Sequence, residues 1–135
     1  MRRYLLDSTP LAAYMNGRQS ARTLIDPWLR DSKVTTSVLV YAEVVEYLRM
    51  RPNFAQHRSD LREALRDIYP YSLTYPILER YSELRRQLRP PHGPGLIGDI
   101  DTFIAATALQ RDLTMVTSDS DFQRVPGLKV ILLPR

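Results

Sequence analysis

The sequence predicts an α/β fold with a central, mainly parallel sheet of about four to five short strands flanked by helices. Short apolar runs rich in β-branched residues alternate along the chain with longer segments of helical periodicity. Turn residues, and aspartate in particular, directly follow several of these runs. Such alternation is typical of parallel sheets, in which helical crossovers connect successive strands.

Each element has its own local signal. Strands are predicted over residues 4–6, 34–36, 71–74, 113–117 and 128–133. Helices are predicted over residues 10–15, 21–29, 38–50, 54–68, 76–88 and 99–109, with a short helix between the last two strands. Pro10 and Pro76 suit the first turn of a helix, whereas Pro27 predicts a kink or break. Ser37 is placed to cap the third helix.

Length and composition limit the classes of protein that fit. The 135 residues suit one domain, residues 1–135. Cysteine is absent, which excludes disulfides and thiolate metal sites and favours a reducing compartment. No apolar run approaches the roughly 20 residues that span a bilayer, and residues 1–7 do not resemble a signal peptide. We therefore expect a soluble, cytoplasmic protein without membrane association.

The basic residues give a weaker signal than their number suggests. The net charge is +4, and 17 of the 19 basic residues are arginine. Nine of the 19 fall between Arg49 and Arg89, but acidic residues alternate with most of them on predicted helix faces. Mixed faces of this kind are typical of solvated helices, so charge alone favours nucleic-acid binding only weakly.

Four acidic residues occupy unusual positions. Asp7 ends the first strand, Asp119 follows the fourth, and Asp101 lies near the apolar stripe of a helix. Asp7 alone is equally explained as a helix cap. Glu43 falls in a largely apolar part of the third helix, where an unpaired buried carboxylate costs several kcal/mol. It must therefore face solvent or have a cation partner, either an arginine or a metal.

The predicted topology allows these four acids to meet at one edge, because the carboxyl ends of parallel strands lie together. Carboxylates at close range cannot all stay ionised without a cation. The chain has no cysteine, and His57 and His92 lack a third histidine for a zinc site. An oxygen-only ligand set selects Mg²⁺ or Mn²⁺.

Several segments carry a family resemblance over nearly the whole length. They are YLLDSTPL at 4–11, TSVLVYAE at 36–43, DIDTFIAATA at 99–108, VTSDSDF at 116–122 and GLKV at 127–130. In this order and spacing the chain resembles the PIN-domain ribonuclease toxins of the VapC type, the nuclease half of VapBC toxin–antitoxin pairs. The resemblance implies a single PIN domain that hydrolyses RNA phosphodiester bonds as a metal-dependent endoribonuclease.

The resemblance also implies roles for particular residues. It assigns one or two Mg²⁺ ions, with Mn²⁺ as a substitute, to Asp7, Glu43, Asp101 and Asp119. Its outer candidates are Asp99 and Asp121, and its flanking hydroxyls are Ser8 and Thr117. Ser118 departs from the family pattern, in which a basic residue is frequent there. The expected partners are an RNA strand held by arginines such as Arg18, Arg22 or Arg86, a second copy in a homodimer, and a VapB-like antitoxin.

Other interpretations are less consistent with the residues. A haloacid-dehalogenase-like phosphatase needs a second aspartate where Thr9 stands. A receiver domain needs an acceptor aspartate after a central strand and a late lysine, and Lys129 is not suitably placed. A degenerate PIN module that binds RNA or a partner without cleavage remains the alternative, although all four acid positions are filled.

Overall fold

A computed structural model describes residues 1–135. The strands are β1 Tyr4–Leu6, β2 Val34–Ser37, β3 Tyr69–Tyr71, β4 Thr114–Thr117 and β5 Val130–Leu132. The helices are α1 Ser8–Met15, α2 Gln19–Arg30, α3 Val38–Leu48, α4 Phe54–Ala64, α5 Tyr75–Leu88 and α6 Asp99–Gln110, with a 3₁₀ helix at Ser120–Arg124. This order of elements confirms the predicted alternation. None of the helices combines the length and apolar character needed to cross a membrane.

The five strands form one sheet in the order β3-β2-β1-β4-β5, and every neighbouring pair is parallel. Tyr4 in β1 pairs with Val34 on one side and with Thr114 on the other. The chain therefore winds outward from β1 to β3 and then returns to add β4 on the opposite side. Where the order of strand addition reverses in this way, between β1 and β4, a crevice forms at the carboxyl ends of the strands, and α/β proteins bind ligands there.

The core explains why the central strands are rigid. Leu5, Leu6, Met115 and Val116 are completely buried, as expected for strands covered on both faces. In α6, Ile104 is buried together with the small residues Ala105, Ala106 and Ala108, which permit close approach of neighbouring elements. The rings of Tyr81 and Phe103 stack at 3.8 Å between centroids and join α5 to α6. The elements that carry the central acids are thus anchored in close-packed structure.

Buried hydroxyl groups hold the strands at their carboxyl ends. Thr36 Oγ1 in β2 donates to the carbonyl of Leu6, 2.8 Å away, which fixes the residue that precedes Asp7. The Thr35 hydroxyl donates to the carbonyl of Tyr69 in β3. The predicted cap of α3 is confirmed, since the Leu39 amide donates to Ser37 Oγ at 3.1 Å.

The predicted break at Pro27 is wrong, because α2 continues through this residue. Proline removes the N–H that would otherwise reach the carbonyl of Thr23. Both Pro27 and Thr23 are exposed, so water can satisfy the carbonyl that loses its partner. The helix tolerates the proline for this reason.

The region between α4 and α5 also differs from the sequence prediction. The third strand pairs at Tyr69–Tyr71 rather than at residues 71–74, and α4 ends at Ala64 although Ile68 is fully buried. Turns after α4 bring Ile68 into the core, and β3 then pairs beside Thr35, Thr36 and Ser37 of β2. Pro70 is tolerated because β3 is an edge strand.

Two isoleucines one turn apart on α6 provide a test of this packing. Ile104 is fully buried, whereas Ile100 is 46% exposed. Ile104→Ala should lower the free energy of unfolding by about 2–4 kcal/mol because it leaves a cavity. The same change at Ile100 should alter it by less than about 1 kcal/mol. Urea unfolding of both variants measures this, and equal losses would contradict the packing described for α6.

Candidate metal centre

Three acidic side chains converge at the crevice of the sheet. Asp7 directly follows β1, Glu43 lies on α3, and Asp101 lies in the first turn of α6. One carboxylate oxygen from each residue lies within 4.8 Å of the other two. Asp7 is buried, with 6% of its surface exposed, and the other two are half-buried. The predicted meeting of acids from separate segments is therefore realised for these three residues.

Asp7 is held by the strand beside it. Its amide donates to the Val116 carbonyl at 2.9 Å, which extends the pairing of β1 with β4. Thr117 Oγ1 donates to Asp7 Oδ2 at 2.7 Å and orients the carboxylate. Asp7 occupies the N-cap position of α1, but its side chain forms no capping hydrogen bond. The simple capping role considered from the sequence is therefore wrong, because the carboxylate is directed toward Thr117 and the other acids.

Glu43 presents an unsatisfied acceptor. Its Oε1 atom is buried and has no hydrogen-bond partner. Val40 and Val44 beside it are buried, as the apolar pattern of α3 predicts. Neither arginine nor lysine forms an ion pair with Glu43, so the cation partner expected from the sequence is not supplied by this chain. A buried carboxylate oxygen without a donor fits a divalent cation as its partner.

The electrostatics of the three acids agree with this geometry. Burial, followed by the charges of Asp7 and Asp101, raises the pKa of Glu43 to about 7, although the Ser8 side chain opposes the rise. Burial and the charges of Asp7, Asp119 and Asp121 raise the pKa of Asp101 to about 6. Burial raises the pKa of Asp7 as well, against the hydrogen bond from Thr117. Without a cation, Glu43 and Asp101 therefore retain protons toward neutral pH.

Asp119 lies close to this cluster without joining the convergent set. Its amide donates to Thr117 Oγ1 at 3.0 Å, and its Oδ1 accepts from the Asp121 amide at 2.9 Å. Its charge contributes to the raised pKa values of both Asp7 and Asp101. Asp119 thus faces the cluster from the end of β4 while its side chain caps the 3₁₀ helix.

The two outer candidates, Asp99 and Asp121, have arginine partners instead. Asp99 Oδ1 lies 3.0 Å from Arg85, and its side chain is 68% exposed. Asp121 Oδ1 lies 2.7 Å from Arg124. Both carboxylates already have a cation, so the structure does not bring them into the group of three acids.

Ser8 and Thr117 are the two flanking hydroxyls. The Ser8 side chain opposes the rise in the pKa of Glu43, whereas Thr117 is fully buried and contacts both Asp7 and the Asp119 amide. Sequence reasoning missed Thr36, whose hydroxyl holds the backbone before Asp7. A threonine one residue before the cap of α3, at a buried strand end, is the only local signal for it. The histidines lie outside the acid cluster, since His92 is exposed and His57 is half-buried beside Leu61 in a separate groove.

The raised pKa values predict how the stability of the metal-free protein depends on pH. Glu43 and Asp101 bind protons more tightly in the folded chain, with pKa values of about 7 and about 6 against ordinary values of 4.5 and 3.8. Their stabilising contribution is complete below about pH 4 and is lost as the pH rises through 6 and 7. Because both groups are partly solvated, we expect a combined loss of about 1–3 kcal/mol.

Urea unfolding in EDTA across this pH range tests the effect. Glu43→Gln should remove much of the loss and should make the metal-free protein more stable than wild type at neutral pH. Glu83→Gln, a change of the same kind on the exposed face of α5, should keep the wild-type pH profile. Identical profiles for the two variants would contradict the assigned source of the shift.

Comparison with known proteins gives the family. The model of the PIN domain matches residues 4–128, whereas no curated protein matches the chain. One similar structure is that of VapBC2 from Rickettsia felis bound to a DNA fragment from the VapBC2 promoter. A chain of this complex superposes with a TM-score of 0.84 at 22% identity, covering 96% of this chain and 98% of that one.

Two further structures have the same fold. DNA-bound VapBC from Salmonella typhimurium contains a chain with a TM-score of 0.84 at 18% identity, covering 97% of this chain and 98% of that one. FitAcB from Neisseria gonorrhoeae contains one with a TM-score of 0.75 at 22% identity, covering 95% and 96%. These likenesses confirm the fold that the resemblance to VapC-type proteins predicts. Since the PIN model extends from β1 almost to β5, the chain belongs to the PIN-domain family.

Proposed function

We propose that this protein is a metal-dependent endoribonuclease and the toxin component of a type II toxin–antitoxin pair. The observation that carries the proposal is the convergence of Asp7, Glu43 and Asp101 within 4.8 Å, with Glu43 Oε1 buried and unpartnered. PIN domains are typically nucleases that use divalent metals, and this arrangement provides the ligands for one. A structural role alone does not explain three carboxylates held against their mutual repulsion.

The donor set defines the metal class. The candidate ligands are all carboxylate oxygens, which suit Mg²⁺, with Mn²⁺ as a substitute. Asp7, Glu43 and Asp101 would hold the ion, and Asp119 faces them from the end of β4. A divalent ion in such a site supplies Lewis-acid activation of water and stabilises charge on the phosphate.

The chain's own residues orient the site and set its protonation. Thr117 fixes Asp7 Oδ2 by donating to it, while the same hydroxyl accepts from the Asp119 amide. Glu43 lies on α3 near the buried residues Val40 and Val44, and one of its carboxylate oxygens is itself buried. Its raised pKa makes ligand binding pH-dependent, because the proton must leave before the carboxylate can bind a cation. Activity should therefore rise as the pH passes from 6 to above about 7.

We also propose binding partners and a cellular location for this protein. The structural neighbours come from VapBC structures, which supports a VapB-like antitoxin that fills the site and silences it. Exposed apolar side chains on α5 support a homodimer: Tyr75 and Leu78. The substrate is RNA and the site of action is the cytoplasm, as the resemblance to VapC-type toxins implies.

The experiment that tests the function is cleavage of total cellular RNA by the purified protein in Mg²⁺, Mn²⁺ or EDTA, with the cut ends mapped. Wild-type protein should make discrete, metal-dependent cuts. Asp7→Asn should abolish them while leaving the fold intact, because the neutral amide still accepts from Thr117 but is a poorer cation ligand. Asp112→Asn is the matched control, since its carboxylate is 89% exposed and pairs with Lys129 away from the cluster.

The outcomes separate the two candidate functions. Loss of metal-dependent cuts in Asp7→Asn but not in Asp112→Asn supports the nuclease. RNA binding without cleavage by the wild type would favour the degenerate PIN module. Cuts that survive both Asp7→Asn and Asp101→Asn would remove the catalytic assignment of this cluster.

Thr117 provides a second test that leaves every acid in place. Thr117→Val preserves the side-chain volume but removes the donor to Asp7, and we expect metal affinity or activity to fall by about 10–100-fold. Thr117→Ser should recover most of it. Thr107→Val is the control, because Thr107 is equally buried but donates to the Phe103 carbonyl. The Mg²⁺ dependence of the cleavage rate measures the effect, and equal behaviour of the two valine variants would contradict it.

A further inference from the structure

A cleft of about 220 Å³ lies between the start of α1, the start of α2 and the segment that follows β5. No acidic side chain lines this cleft. Its polar lining consists of two arginines and three hydroxyl side chains: Arg18, Arg135, Thr9, Ser20 and Ser118. The charge of its lining side chains is opposite in sign to that of the acid cluster. A cationic, hydroxyl-rich cleft suits an anion with several acceptor oxygens.

This cleft adjoins the candidate metal centre. A neighbouring cleft of about 330 Å³ has Ser8 and Glu43 in its lining, and the two clefts share Thr9, Ala13 and Arg18. Arg18 therefore lies at the junction between the cationic cleft and a candidate metal ligand. A strand bound over Glu43 would therefore meet Arg18 in the lining of the same cleft.

Both guanidinium groups are available for a ligand. Arg135 Nε donates to the Ser118 carbonyl at 3.1 Å, which positions the group at the end of β4, and it forms no ion pair. Arg18 has neither a side-chain hydrogen bond nor an ion pair, whereas Arg85 and Arg124 are both paired with aspartates. Arginines that line a cleft without a carboxylate partner have guanidinium donors left for phosphate.

Other arginines fit this role less well. Arg22 lies over the Tyr14 ring, 5.0 Å from its centroid, and Arg86 lines neither cleft. A second basic surface is formed by arginines of α4 and of the turn that follows it, with Glu63 among them and no acid of the cluster in its lining: Arg58, Arg62 and Arg66. That surface is a matched control for nonspecific charge.

We propose that Arg18 and Arg135 hold backbone phosphates of the RNA strand in the cleft beside the acid cluster. The inference rests on the proposed function and names how the substrate is positioned there. The acid cluster repels a polyanion, and two guanidiniums on one flank offset that repulsion where the strand must approach. They contact the backbone and carry no sequence information, since every nucleotide presents the same phosphate.

Binding of a short single-stranded RNA in EDTA tests this without requiring cleavage. Arg18→Gln and Arg135→Gln should each weaken binding by about three- to tenfold, and each should reduce the slope of log affinity against log salt by about 0.7. Arg18→Lys should recover part of the loss, and Arg62→Gln should bind as wild type does. At equal ionic strength inorganic phosphate should compete poorly, because a single phosphate makes only a fraction of the backbone contacts that a strand makes.

Cleavage kinetics provide the second readout. Both glutamine variants should raise KM and leave kcat nearly unchanged, since the lost contacts bind substrate rather than reacting atoms. The inference would be overturned if both glutamine variants bound RNA with wild-type affinity, or if Arg62→Gln weakened binding equally. It would also be overturned if the wild type bound no RNA, or if inorganic phosphate at equal ionic strength displaced the RNA fully. Failure of the nuclease proposal is distinguishable, because it would leave binding dependent on Arg18 and Arg135 without any cleavage.

Discussion

Mutual repulsion among carboxylates held at one edge of the sheet is the constraint on which the rest of the structure depends. Asp7, Glu43 and Asp101 come from three elements, and their oxygens lie within 4.8 Å of one another. Burial and repulsion raise the pKa of all three carboxyl groups, so the folded chain disfavours their ionised forms. Flexible segments would relax by moving apart. The short buried strands and the close-packed α6 prevent that movement, so a rigid scaffold and an electrostatically unfavourable cluster occur together.

The position of β1 between β2 and β4 determines how this cluster is held. Hydroxyls from both neighbouring strands reach the end of β1, since Thr36 donates to the Leu6 carbonyl and Thr117 donates to Asp7. The Thr117 hydroxyl also accepts from the Asp119 amide and so links two acids through one oxygen. Apolar side chains at these positions would bury equally well but would leave the acceptors unpaired. Threonine at the strand ends therefore serves the site, while leucine, valine and methionine deeper in the strands serve the core.

The sequence predicts much of this arrangement because its signals are local. A polar residue directly after an apolar run marks Asp7, and an acid among valines marks Glu43, without knowledge of any distant contact. The distinction between Asp99 and Asp101 is different, since both lie in the first turn of α6. Arg85 on α5 pairs with Asp99 and leaves Asp101 to the cluster, and a contact between two helices is not visible in local spacing. The shifted third strand has the same cause, because pairing with β2 selects Tyr69–Tyr71 over the equally plausible segment that follows.

The distribution of arginines complements that of the acids. Outside the cluster, Asp99 and Asp121 are neutralised by arginines, so the unbalanced negative charge is concentrated on the inner acids. Arg18 and Arg135 on the flank are left without carboxylate partners. The negative and positive surfaces thus lie in adjoining clefts, which fits the proposed binding of a cation and a polyanion. Pairing every arginine with a nearby acid would stabilise the folded chain only slightly, because surface ion pairs contribute little. It would also remove the separation of positive and negative charge on which the proposed phosphodiester hydrolysis depends.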